Sequence, residues 1–209
     1  MADGWYSDDM QPSSLAKIAP EEFFAWVAGQ EERYELVDGE VVMMAGAGRR
    51  HDHIVVNLIT AVNLQTRGGP CQTFTGDTYV STSPSSRRMP DLGIDCGTPD
   101  EASLMADKPT LVVEVLSPTT AGFDVTVKLA EYQSIASLDY ILFVDTESPK
   151  AHLYSRGDDR VWMDTVVVGL DASVELTKLN VSLELKDVFA GLSFRMKPRL
   201  VGIADGPQS

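Results

Sequence analysis

Leu111-Val112-Val113-Glu114-Val115-Leu116 constrains this chain more than any other stretch. With Thr110 it forms an apolar, β-branched run, which reads as a central strand covered on both sides. A single carboxylate interrupts it. A buried ionised carboxylate is costly unless it is paired or bound to a metal. Side chains alternate along a strand, so Val112, Glu114 and Leu116 share one face. Either that face is an edge open to water, or something cationic meets Glu114 inside the fold. Ser117-Pro118 ends the run.

Two neighbouring segments supply candidates for that partner. Asp91 follows Pro90 and opens a short strand to Cys96, just upstream of the Glu114 strand. Downstream, Phe123 to Ile135 reads as a helix on which Asp124, Lys128 and Tyr132 are spaced by four and share a face. Two carboxylates on adjacent strands suit a hard divalent cation such as Mg²⁺, with Mn²⁺ as a substitute. A nearby ammonium then orients water or stabilises charge on a phosphate. Each residue also has a plainer reading: Asp91 as a turn or cap, Lys128 in an exposed ion pair with Asp124, Tyr132 as core. Glu35, in Arg33-Tyr34-Glu35-Leu36-Val37, is a further oxygen donor or an exposed strand residue.

The remaining chain builds a mixed α/β (α+β) domain, with one mixed sheet flanked by helices. Residues 1–15 read as a flexible N-terminus, 16–197 as a single domain and 198–209 as a flexible tail. A helix is expected over Ala19–Gly29, with Pro20 in its first turn. Asp38-Gly39 between two apolar runs signals a hairpin with strands near 33–37 and 40–44. A helix from Arg50 to Gln65 repeats Ile54, Leu58 and Val62 at helical spacing. Short strands follow at 71–74 and 78–81, then a Ser/Pro/Arg loop at 82–88. Beyond the Lys128 helix come a buried strand at 140–144, a hairpin at 151–155 and 160–168, and two short strands at 173–176 and 181–185. A closing helical turn is expected over 186–191.

Composition narrows the chemistry. A net charge of −14 argues against a broad basic footprint for nucleic acid, so any phosphate contact is local. Arg49-Arg50 and Arg87-Arg88 are the only adjacent basic pairs, and Arg87 and Arg88 in the Ser85–Met89 loop are candidate substrate contacts. Cys71 and Cys96 read as reduced core thiols, and the acidic N-terminus lacks an apolar signal region; both point to the cytoplasm. His51 and His53 flank Asp52 at a helix start without zinc-site spacing and read as helix-end or core histidines. No nucleophile elbow, P-loop or dinucleotide fingerprint is present.

The ordered set Tyr34-Glu35-Leu36-Val37-Asp38-Gly39-Glu40, His51-x-x-Ile54-Val55-x-Asn57-Leu58, Pro90-Asp91-Leu92-Gly93-Ile94, Leu111–Thr120, Asp124-x-x-x-Lys128-Leu129-x-x-Tyr132 and Tyr140–Asp145 resembles the Uma-type family of restriction endonucleases. That family belongs to the PD-(D/E)XK nuclease superfamily. The resemblance covers about residues 21–154. It implies a restriction-endonuclease-like core and a Mg²⁺ site at Asp91 and Glu114, with the Val115 carbonyl a further ligand. The superfamily pattern places a lysine two residues after Glu114, where this chain has Leu116. The resemblance moves that role to Lys128.

Two main readings follow. One is a metal-dependent endonuclease acting on DNA through Asp91, Glu114 and Lys128, assisted by Glu35, with His53 touching substrate. The alternative is a catalytically degenerate member of the same fold that binds DNA or protein. A third reading is a self-associating structural protein with a dimer face near Trp162. A homodimer fits all of them.

Overall fold

The computed structural model describes residues 17–98, 100–117 and 123–194, with the side chains of 123 and 124 outside that description. The expected flexible ends and the Asp124 side chain therefore lie outside the described residues.

The first layer begins with helix α1 (Pro20–Val27), where Pro20 takes the first turn and Glu22 Oε2 accepts from the Ala19 N–H at 3.1 Å. Strands β1 (Tyr34–Val37) and β2 (Glu40–Met43) form the expected hairpin. Its turn needs two left-handed residues, which Asp38 (φ 50°) and Gly39 (φ 83°) supply. Helix α2 (Arg49–Thr66) buries Ile54, Leu58, Val62 and Thr66 along one stripe. Strands β3 (Gln72–Thr75), β4 (Val80–Ser83), β5 (Ser86–Arg88) and β6 (Leu92–Asp95) follow. Then come β7 (Pro109–Leu116), α3 (Phe123–Ser134) and β8 (Tyr140–Asp145). The hairpin β9 (Lys150–Arg156) and β10 (Trp162–Val168), the hairpin β11 (Ser173–Leu176) and β12 (Val181–Glu184), and the short helix α4 (Leu185–Val188) complete the chain.

These strands form three sheets, not one. Six strands in the order β10-β9-β8-β7-β6-β3 make the central sheet, mixed because β7 and β8 run parallel while its other pairs are antiparallel. Four strands in the order β2-β1-β5-β4 make a second sheet, and β11-β12 a third. The division follows from β5, which falls where a loop was expected. Its three residues are held as a strand by pairing with β1 through Leu36 opposite Arg87, and with β4 through Val80 opposite Arg88.

One face of the central sheet, carrying Leu111, Val113, Leu142 and Val144, packs under α2, the β11-β12 hairpin and α4. The opposite face, with Val112, Ile141 and Phe143, packs against Tyr132 of α3 and Leu138 of the segment that follows it, and Val80 of the four-stranded sheet joins this cluster. Helix α3 is thus held between two sheets. On the far side of the second sheet, Phe23 of α1 closes a small core with Leu36, Tyr79 and Met89.

Cys71 and Cys96 form a disulfide, which corrects the expectation of free thiols. The pairing of Gln72 with Asp95 puts these two cysteines opposite one another on the next rung, with Cα atoms 4.1 Å apart. That lies just below the usual range for a disulfide and suits direct neighbours on adjacent strands. The inference of a reducing compartment from these residues lapses with it. Among the described residues no helix is long and apolar enough to cross a membrane.

Candidate active site

The register of β6 and β7 brings the two carboxylates together. Leu92 pairs with Val113 and Gly93 with Val112, so Asp91 reaches the rung of Glu114. The Val115 N–H donates to Asp91 Oδ2 at 2.7 Å, fixing the Asp91 carboxylate at the end of the strand pair. His51, in the first turn of α2, places Nε2 3.2 Å from the same oxygen. Among the described residues no hydrogen bond reaches Asp91 Oδ1.

Glu114 is buried on the face of β7 that meets α3, and α3 supplies its partners. Lys128 Nζ donates to Oε1 at 3.0 Å and Oε2 at 3.1 Å. The Tyr132 hydroxyl donates to Oε1 at 2.6 Å. Helical spacing of four puts both donors on the side facing β7. Glu35, from β1, stands with Oε1 3.7 Å from the same ammonium. Its carboxylate is already held by Arg88 Nη1 at 2.9 Å and by the Met89 N–H at 2.9 Å. Arg88 in turn grips both oxygens of Glu131 on α3, at 2.7 and 2.6 Å. A chain of alternating charge therefore runs Glu131–Arg88–Glu35–Lys128–Glu114, tying the four-stranded sheet to the central one.

Burial shapes the protonation of these groups. Desolvation pushes the Glu114 carboxyl up to about 7, against the pull of Lys128 and with added repulsion from Asp91 and Glu35. Burial, then the charge of Glu114, raises the Tyr132 hydroxyl well above its ordinary range, so it stays a donor. Its hydrogen bond to the Asp91 carboxylate raises His51 despite burial, and the charges of Asp91, Glu114 and Asp52 add to it. For Arg88, burial alone would favour loss of the proton; its bonds and charge contacts with Glu131 and Glu35 outweigh that and hold it charged.

The structure thus brings Asp91, Val115, Glu114, Lys128 and Glu35 into one neighbourhood. It turns other candidates elsewhere. Arg88 is 5 % exposed and spoken for inside the protein, so it does not face substrate. Arg87 bonds the Ser83 and Ser86 carbonyls at 2.9 and 2.8 Å. His53 bonds the Ala190 carbonyl at 2.8 Å and fastens α2 to the segment after α4. The histidine at the site is His51. Its signal was present in the sequence: His51, Val55 and Ile59 follow one another by four along α2.

The donor chemistry fits a hard divalent cation. Asp91 and Glu114 offer carboxylate oxygens on the same rung, and Asp91 Oδ1 has no competing donor among the described residues. Mg²⁺ is commonly held by one or two carboxylates and retains several waters. Among the described residues no group of three or more His, Cys, Asp or Glu side chains gathers as a metal site, and Glu35 is committed to Arg88 and Met89.

Comparison with known proteins bears on the family and the fold. Residues 20–196 match the Uma2 family, described as "Putative restriction endonuclease". The chain belongs to the Uma2 family. Two relatives of this family member come from Synechocystis sp. (strain ATCC 27184 / PCC 6803 / Kazusa). The uncharacterized protein slr1290 is 31% identical over 182 residues, spanning 85% of this chain and 94% of its own. The uncharacterized protein sll1609 is 28% identical over 154 residues, spanning 72% and 87%. The fold is similar to the crystal structure of "a putative nuclease belonging to DUF820" from Anabaena variabilis ATCC 29413. That match has a TM-score of 0.69 and 17% identity, and covers 82% of this chain and 97% of the other. The restriction-endonuclease-like architecture expected from the sequence is therefore the one found.

Proposed function

We propose that this Uma2 protein is a divalent-metal-dependent endonuclease that hydrolyses DNA phosphodiester bonds. The observation that carries the proposal is the convergence of Asp91, Glu114 and Lys128 at the end of β6 and β7, with Lys128 Nζ 3.0 Å from Glu114. Asp91 and Glu114 would hold Mg²⁺ or Mn²⁺, with the Val115 carbonyl beside them. When bound, the cation polarises a phosphoryl oxygen and lowers the pKa of water. The protein's own groups do the rest. Val115 N–H and His51 orient Asp91, and Tyr132 orients Glu114. Lys128 supplies the ammonium that the superfamily pattern places two residues after Glu114, at the position of Leu116. Charged and aimed between the carboxylates, it orients the attacking water and stabilises charge on the phosphate. Water oxygen bonds to phosphorus, one P–O ester bond breaks, and a proton reaches the departing alkoxide.

Cleavage of linear, circular and single-stranded DNA with Mg²⁺ or Mn²⁺ tests this. Asp91→Ala and Glu114→Ala are each expected to abolish it; cleavage that survives both variants refutes the assignment. A homodimer, one site to each strand, belongs to the same proposal and is tested by light scattering.

One observation favours the second reading, a binding module on the nuclease fold. Lys128 engages both oxygens of Glu114, the donor a metal needs. Mn²⁺ titration followed by electron paramagnetic resonance separates the two. A stoichiometric site lost in Asp91→Asn supports the nuclease, and no binding at neutral pH supports the module.

A further inference from the structure

A half-open groove of about 400 Å³ runs from Asp91 and His51 over residues that the chemistry above does not use. One wall is α2, which presents His51, Val55 and Ile59 on successive turns. The other wall is the Thr75–Asp77 turn after β3, with Arg33 reaching across it. The stripe from His51 to Ile59 rises about 12 Å along the helix. The groove therefore leads away from the carboxylates over a length suited to a few phosphates of one strand, at about 3.4 Å per phosphate along a duplex.

Its cations are set apart from the others in this acidic chain. Arg33 Nη2 donates to the Gly76 carbonyl at 2.6 Å and its Nε is 3.8 Å from Asp77, which holds the guanidinium on the wall. Arg49 is exposed, and its side chain has no hydrogen bond or ion pair among the described residues. Its neighbour Arg50 is occupied, bonded to the Thr146 and Ser193 carbonyls and lying over the Phe194 ring. Arg88 and Arg156 are buried against acceptors of the fold. Asp52 and Asp77 also line the groove, so it is not a broad positive field. Two arginines and the half-buried aliphatic stripe of Val55 and Ile59 line the same groove, a mix of groups that suits alternating phosphate and sugar.

We propose that this groove binds the DNA strand flanking the scissile phosphodiester, with Arg49 and Arg33 contacting its phosphates and Val55 and Ile59 carrying its sugars. The proposal rests on the nuclease reading and adds the path of the strand. It also explains how a chain of net charge −14 takes a polyanion: through a local track beside the site, not through overall charge.

The test titrates the full chain carrying Glu114→Gln with a fluorescein-labelled duplex, at low and at physiological salt, by anisotropy. Arg49→Ala is expected to weaken binding roughly tenfold and to reduce the slope of log affinity against log salt by about one. Val55→Glu, which puts a carboxylate into the groove, is expected to weaken binding at least as much. Arg67→Ala serves as the control, because Arg67 is exposed, does not line the groove and stands just beyond the opposite end of α2, about 27 Å from Arg49 along the axis. Urea unfolding confirms that each variant is folded. Unchanged binding by both groove variants, or an equal loss in Arg67→Ala, overturns the groove and leaves the nuclease reading standing. A parent protein that binds no duplex at low salt overturns both.

Discussion

Replacing Lys128 by methionine removes the ammonium from between Glu114 and Glu35 while keeping a long aliphatic stem, and its effect on stability should depend on pH. Glu114 titrates near 7 in the folded protein against an ordinary 4.5. Because the folded value is the higher one, the stability linked to Glu114 is fully present below about 4.5 and is lost as pH rises through 7. Above 7 the native protein and its unfolded chain have both released this proton, and stability stops changing on its account. Without Lys128 the folded carboxyl holds its proton to higher pH, while the unfolded chain does not. The variant therefore loses a further ~1.4 kcal/mol for each pH unit above 7, until its own titration point is reached. Relative to the parent, Lys128→Met should cost a constant, small amount between pH 5 and 7, set by the lost hydrogen bonds at ~1 kcal/mol. The deficit should then grow to about 3 to 4 kcal/mol by pH 9, within the range for breaking a buried pair. Urea unfolding at intervals across that range measures it. The double variant Glu114→Gln with Lys128→Met has no carboxyl at position 114 to titrate and should lack the rise in deficit between pH 7 and 9. An equal deficit at pH 6 and pH 9 would refute the argument that Lys128 keeps Glu114 ionised.

Tyr132→Phe keeps the ring in the core but deletes the 2.6 Å donor to Glu114; it should cost about 1.5 to 3 kcal/mol in urea unfolding, as for a bond to a charged group. A loss under 0.5 kcal/mol would mean the hydroxyl does not support the carboxylate. Reducing Cys71–Cys96 opens a loop with a sequence separation of 25, and should lower unfolding free energy by ~3 kcal/mol, as should Cys71→Ala paired with Cys96→Ala. Equal stability with and without reductant would contradict a structural cross-link. Mn²⁺ affinity should fall as pH drops through about 7, because Glu114 must shed its proton to act as a ligand. Calorimetry in buffers of different ionisation enthalpy should show proton release near pH 7, and affinity independent of pH would exclude Glu114 from the site.

The parts of this arrangement legible in the sequence were those written in local spacing. A carboxylate inside the run 110–116 either faced water or was met by a cation. The interval of four between Lys128 and Tyr132 placed two donors on one side of a helix. Asp38-Gly39 announced its hairpin outright. What escaped depended on contacts distant in sequence. Ser86–Arg88 looks like loop because Ser and Pro dominate its surroundings, and only pairing with β1, some fifty residues earlier, makes it a strand. That pairing swings Arg88 inward, so a basic pair that resembled a substrate contact became an internal brace. His51 and His53 sit two apart and differ by about 200° around α2, so one meets Asp91 and the other Ala190. The disulfide was hidden for the same reason: it follows from the β3–β6 register, not from cysteine count.

Helix α3 touches both large sheets through consecutive turns: Lys128 and Tyr132 reach β7, while Glu131 is gripped from β5. The two carboxylates belong to the central sheet and the ammonium to the helix, while the second sheet supplies Arg88, which braces Glu131, and Glu35 beside Lys128. A chain whose second sheet has not yet docked would hold the proposed reactive groups without the brace that aims the helix. For a protein whose proposed substrate includes the genome encoding it, full reactivity would come as the last step of assembly.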